Sequence, residues 1–168
     1  MRKPNKGFTL IEIMVVIVIA AVLISAVALS FPPVGDKLLK ENADRFSALM
    51  SLAQDEAILQ STELAVEITP NGYSFYQNES NSWATFSDPP FIKRQLPAEI
   101  STKLYIDGIS IDLKDRDEDK PQVVILSSGE MTPFTYTLQF KNQSEIKLKA
   151  DANGEIEKTF SQLEPATQ

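Results

Sequence analysis

The chain has 168 residues, enough for one folded core and a short appendage, and its 43% hydrophobic and 23% charged residues exclude wholesale disorder and a polytopic membrane protein. It contains no Cys and no His, which removes thiolate nucleophiles, imidazole bases and the usual zinc sites. The first six residues, MRKPNK, hold Arg2, Lys3 and Lys6, leaving 13 basic and 23 acidic residues in the remainder, a formal charge of −10 that repels phosphate backbones and argues against nucleic acid as a partner.

The first predicted element is an apolar helix from Phe8 to Phe31, broken by one acid, Glu12. At about 1.5 Å per residue it runs roughly 36 Å, enough to cross a hydrocarbon core of about 30 Å. The basic residues before it keep the N-terminus cytoplasmic under the positive-inside rule, so everything after Phe31 faces the periplasm of a bacterium. A cleaved secretory signal and an uncut signal anchor are the alternatives, but neither explains Glu12. A carboxylate inside a spanning helix costs about 2.5–3.5 kcal/mol on insertion scales, less near the interface, and points to a partner. Cutting between Gly7 and Phe8 would supply one: a new α-amino group four residues before Glu12, which a neighbouring subunit shifted along the helix axis could present to that acid.

The stretch KGFTLIEIMVVIVIA resembles the class III signal of type IV pilins and type II secretion pseudopilins. In that pattern a basic leader ends in Gly, followed by Phe, Thr, Leu, an apolar residue and Glu. The resemblance implies that a prepilin peptidase, an inner-membrane aspartate protease, cuts between Gly7 and Phe8. It further implies that Phe8 becomes the N-methylated terminus, and that Glu12 pairs with a terminal amine during subunit assembly, offsetting two desolvation penalties.

FPPVGD interrupts the helical pattern at Pro32 and Pro33, where a break or kink is expected. Asp36 is then expected to cap a second helix, DKLLKENADRFSALMSLAQDEAILQS, with Leu39, Ala43, Phe46, Met50, Ala53 and Ala57 in one apolar stripe. About three heptads with small Ala residues favour packing on a sheet over a coiled coil.

From Leu64 short alternating runs take over. ELAVEI, PNG and YSFYQ read as a hairpin, with Asn71 and Gly72 tolerating the positive φ of a tight turn. Further strands are predicted at TKLYI, SIDL, VVILSS, FTYTLQF, EIKLKA and EIEKTF, with ANGE turning between the last two. Two long loops remain, NESNSWATFSDPPF and KDRDEDKPQ. In the first, Trp83, Phe86 and Phe91 pin the loop to the core or grip a partner, the former being preferred.

RFSALMSLAQDEAILQSTELAVEI, LSSGEMTPFTYTL and ADANGEIE, in that order, resemble the H-type minor pseudopilins of type II secretion (general secretion pathway protein H) and the related FimT/FimU-like minor pilins. The fold class implied is α+β: a long N-terminal helix, transmembrane then amphipathic, packed on an antiparallel β-sandwich of two sheets. The expected divisions are a prepilin leader at 1–7, a transmembrane and assembly helix at 8–31, the amphipathic helix at 32–62 and a periplasmic β-sandwich at 63–168.

Two acidic stretches invite a metal reading. Asp115, Asp117 and Asp119 begin like a calcium loop, but Lys120 stands at the Gly position and Leu126 where the bidentate Glu belongs, so a solvated loop is expected. Asp151, Asn153 and Glu155 read as a turn. No catalytic, cofactor or metal site is expected, and no enzyme activity.

By resemblance the chain is expected to be a structural subunit of the pseudopilus, at or near its tip, supporting export of folded proteins across the outer membrane. It would be anchored by one span in the bacterial inner membrane, with its body in the periplasm, and enter the pseudopilus on assembly. The partners implied are the major pseudopilin, the other minor pseudopilins, the prepilin peptidase and the inner-membrane secretion platform with its cytoplasmic ATPase. The alternative is a minor pilin of a type IV pilus or competence system, some FimT-like members of which bind DNA. KLKADANGEIEKTF offsets its lysines with acids, which runs against that alternative.

Overall fold

The computed structural model describes residues 9–28, 33–114 and 120–163. The chain divides into two compact units, Met1–Val34 and Gly35–Gln168. In the first, α1 spans Leu10–Ala28.

The second unit opens with α2, Val34–Gln60. The helix starts directly after Pro33, whose fixed φ suits a helix entrance. Asp36 therefore lies inside the first turn rather than capping it, 8% exposed, where its carboxylate still faces the positive end of the helix dipole. The predicted stripe of Leu39, Ala43, Phe46, Met50, Ala53 and Ala57 is the buried face, joined by Leu49. At the other end Ser61 takes a left-handed φ of 50° and Thr62 N–H reaches the Ala57 carbonyl at 3.1 Å, closing the last turn.

Ten strands follow: β1 Leu64–Thr69, β2 Gly72–Glu79, β3 Ser82–Phe86, β4 Arg94–Gln95, β5 Ile100–Ile106, β6 Ile109–Ile111, β7 Val123–Ile125, β8 Phe134–Phe140, β9 Ser144–Ala150 and β10 Ile156–Gln162. They form two antiparallel sheets. The first has the order β3-β2-β1-β7 with β4 beside β2, and the second the order β10-β9-β8-β5-β6. One apolar cluster joins α2 to both. Phe46 shows how: its ring meets Tyr73 of the first sheet at 5.0 Å and Phe134 and Tyr136 of the second at 6.1 and 4.7 Å. Thr102 of β5 adds a polar tie, its hydroxyl donating to the Thr69 and Pro70 carbonyls at 3.3 Å each.

Three further expectations are corrected. NESNSWATFSDPPF is only partly a loop, because β3 lies within it and hairpins onto β2 through Ser80 and Asn81, at φ 52° and 66°. Neither Asn71 nor Gly72 is among the positive-φ residues. Gly72 belongs to β2, and a Cβ there would lie 1.9 Å from the Arg94 carbonyl oxygen, so the glycine makes room for β4. VVILSS is strand only through Ile125; Leu126 N–H instead bonds the Glu130 carbonyl at 2.7 Å, folding the chain back so that Met131 and Thr132 cover the free edge of β7.

Candidate assembly site

The residues of α1 set the character of the N-terminal unit. Thr9 stands just before the helix and its side-chain oxygen accepts the Glu12 N–H at 3.3 Å, while its carbonyl accepts the Glu12 and Ile13 N–H groups at 3.1 and 3.3 Å. Thr9 is thus the N-cap and Glu12 the third helical residue, the T-x-x-E spacing of a capping box. The carboxylate lies in the first turn, where the unpaired amides and the helix dipole favour negative charge. Sequence reasoning singled out Glu12 and missed Thr9, although that spacing ahead of an apolar run was there to be read.

Beyond Glu12 the helix has no polar face to turn toward water. Every large apolar side chain from Leu10 to Leu23 is exposed, from 47% at Ile13 to 79% at Leu10. A helix apolar all round is made for a lipid or protein environment on every side. Among the described residues no helix is by itself long and apolar enough to cross a membrane; α1 runs about 28 Å, and the expected 8–31 span reaches undescribed residues at both ends. Gly7 and Phe8, the expected cleavage and methylation site, lie outside the described residues.

In the body, Phe91 is 3% exposed and stacks on Phe86 at 5.0 Å and against Phe75 at 5.1 Å, pinning the 87–93 loop to the first sheet. Trp83 is half-buried in β3. The Asp151 carboxylate is engaged within its own turn, accepting the Asn153 and Glu155 N–H groups at 3.0 and 2.9 Å. Asp115, Asp117 and Asp119 lie outside the described residues. Gln54 fastens the far end of α2: its amide nitrogen donates to the Gly129 and Asn153 carbonyls, each at 2.7 Å. Both loops belong to stretches that carried the family resemblance. Gly154, at φ 86°, leaves space for the Gln54 side chain that a Cβ would fill.

Residues 2–28 match the prokaryotic N-terminal methylation motif, and residues 42–154 match the type II transport protein GspH. The chain belongs to the GspH family. Similar members are the type II secretion system proteins H of Pseudomonas aeruginosa, 30% identical over 164 residues covering 90% of this chain and 93% of that protein, and of Aeromonas hydrophila, 28% identical over 171 residues covering 92% and 93%. The structure of the minor pseudopilin EpsH from the type II secretion system of Vibrio cholerae superposes with a TM-score of 0.62 at 25% identity, over 78% of this chain and 99% of that one. The type IV minor pilin FimU of Pseudomonas aeruginosa, 19% identical with a TM-score of 0.50 over 76% of this chain and 88% of its own, shares the fold alone. GspH-family membership accounts for both halves of the chain, a methylation-type N-terminus followed by a two-sheet body.

Proposed function

We propose that this chain, a minor pseudopilin of the type II secretion system, acts by assembly after leader removal. Prepilin peptidase would cut between Gly7 and Phe8, Phe8 would be N-methylated, and residues 8–31 would hold the chain in the inner membrane with its body in the periplasm. The helix would then move from bilayer to filament core, joining the major and other minor pseudopilins on the secretion platform, near the tip.

One observation carries the reading: a carboxylate in the first turn, just inside the Thr9 cap, of a helix whose other faces are apolar. Insertion into lipid opposes that charge by about 2.5–3.5 kcal/mol at mid-membrane, and capping supports the helix with about 1 kcal/mol. The cap therefore does not by itself offset the charge, and an ammonium from a neighbour's new terminus would. The type IV pilus alternative is left with a likeness of fold.

Replacing Glu12 with Val is expected to leave membrane insertion and leader removal intact while lowering incorporation into the pseudopilus at least tenfold. Fractionation, mass spectrometry of the mature N-terminus and pull-down of assembled pseudopili would measure the three. Incorporation at the wild-type level refutes the pairing role, and a mature chain still carrying Met1 refutes the processing.

A further inference from the structure

A strand that ends a sheet directs N–H and C=O groups outward, and these need water or a further strand. Most edges of this body are covered or short. Met131 and Thr132 lie along β7, and past its end the Gln122 side chain takes up the Ile68 N–H and carbonyl at 2.7 and 3.1 Å in place of a strand. β3 turns only Trp83 and Thr85 outward, and β6 only Ser110.

β10 is the long open edge. Its hairpin closes with the Asp151 N–H on the Glu155 carbonyl at 3.2 Å, and its far end with the Leu163 N–H on the Gln143 carbonyl at 2.8 Å. Alternation along the ladder therefore gives Glu157, Thr159 and Ser161 to β9, and leaves Ile156, Lys158, Phe160 and Gln162 directing their N–H and C=O groups away from it. None of those groups has a hydrogen-bond partner among the described residues. Lysine on an edge strand ordinarily wards off a second chain. Here Lys158 is drawn onto Asp44 at 2.6 Å and Lys40 lies over the Phe160 ring at 5.1 Å, so both ammonium groups are held on the helix side. Lys40 and Asp44 are exposed and lie outside the buried stripe of α2, so the helix packs inboard of the strand.

The strand IEKTFSQ is complementary to itself. Laid antiparallel about Thr159, a second β10 sets Ile156 opposite Gln162, Glu157 opposite Ser161 and Lys158 opposite Phe160. Every outward residue of each copy then meets an outward residue of the other, and no like charges face one another. A shift by one pair in either direction sets Lys158 against Lys158 or Phe160 against Phe160, and leaves one outward residue of each copy unmatched.

We propose that two copies of this chain pair through β10 in that register, merging their five-stranded sheets across a two-fold axis. The acidic bodies repel at a distance, but physiological salt screens that repulsion beyond about 8 Å, and the contact itself is made by backbone. A two-fold contact closes on itself and does not extend into a fibre, so the pair is a state of the chain outside the pseudopilus. It needs only the body, and its failure leaves the assembly reading intact.

Disulfide formation reads the register. The chain has no cysteine, Thr159 is exposed, and its Cα would stand about 4.5 Å from its counterpart in the second copy, within disulfide range. Full-length Thr159→Cys, oxidised in membranes with copper phenanthroline, should give a linked dimer at least tenfold above Glu157→Cys, which faces Ser161 of the copy. Glu157→Cys combined with Ser161→Cys should restore the yield. Adding Phe160→Pro to Thr159→Cys removes an outward N–H and no bond to β9, and should lower the yield at least tenfold. A Thr159→Cys chain that oxidation leaves monomeric, equal yields from Thr159→Cys and Glu157→Cys, or a yield indifferent to Phe160→Pro overturns the pair.

Discussion

Tyr136 sits in the middle of the core with its hydroxyl beyond reach of any hydrogen-bond partner among the described residues. Burial pushes its phenol far above the ordinary tyrosine range, with Tyr73 nearby adding to the shift. Tyr73 is also raised by burial, an effect that Arg94 and then Arg45 partly oppose. Both phenols stay protonated in the fold, while the unfolded chain ionises near about pH 10. Their contribution to stability is therefore fully present below about pH 10 and is lost as the pH rises through the higher folded values. Tyr136→Phe removes an orphan hydroxyl and should raise stability by about 1 kcal/mol at neutral pH, and it should soften the alkaline loss. Thermal melts of both proteins from pH 7 to 11 would show it, and a lower Tm for the variant at pH 7 would contradict it. Glu12 was legible in the sequence because a charge inside an apolar run stands out. The isolation of the Tyr136 hydroxyl was not, because an alternating FTYTLQF pattern announces an inward ring without saying what surrounds its oxygen.

At the scale of elements, α2 and the strands around FTYTLQF and SEIKLKA were legible because their periods of 3.6 and 2 persist over several residues. β3 was hidden by its turn: Ser80 and Asn81 both adopt positive φ, and serine there is an unusual choice. β4 has two residues and no period to read. PNG misled in the opposite direction, since Gly72 is required by the approach of Arg94 rather than by the turn. Gly72→Ala places a methyl group against the Arg94 carbonyl, so β2 and β4 must part, at about 1–3 kcal/mol. Urea unfolding should register that loss. Amide exchange should quicken at Leu96, whose N–H bonds the Asn71 carbonyl at 2.8 Å beside the disturbed pair, and an unchanged Leu96 rate would show that β4 absorbs the methyl.

For the molecule as a whole, two antiparallel sheets behind a helix were legible, partly from strand count and partly from the family resemblance. The strand order was not. The pairing of β5 with β8 and of β1 with β7 joins segments far apart in the chain, and alternation gives which face is buried but not which neighbour lies beside it. The acidic balance remains the whole-molecule property with the plainest outcome. A gel shift at low salt with duplex DNA should show no retained band, and clear retention would reopen the competence-pilin alternative.

The Gln54 fastening also has a consequence in time. It joins the helix to carbonyls 75 and 99 residues further on, and Lys158 reaches back 114 residues to Asp44 at 2.6 Å. Closing such wide arcs carries an entropy cost that local turns escape. A ribosome delivers the helix and the strands of the first sheet that meet Phe46 before β8, β9 and β10, so the part of the apolar face of α2 that packs on Phe134 and Tyr136 stays uncovered until those later strands have emerged. Maturation of this subunit is thus tied to completion of synthesis, and a prematurely stopped chain would be left as an adhesive fragment rather than a smaller working part.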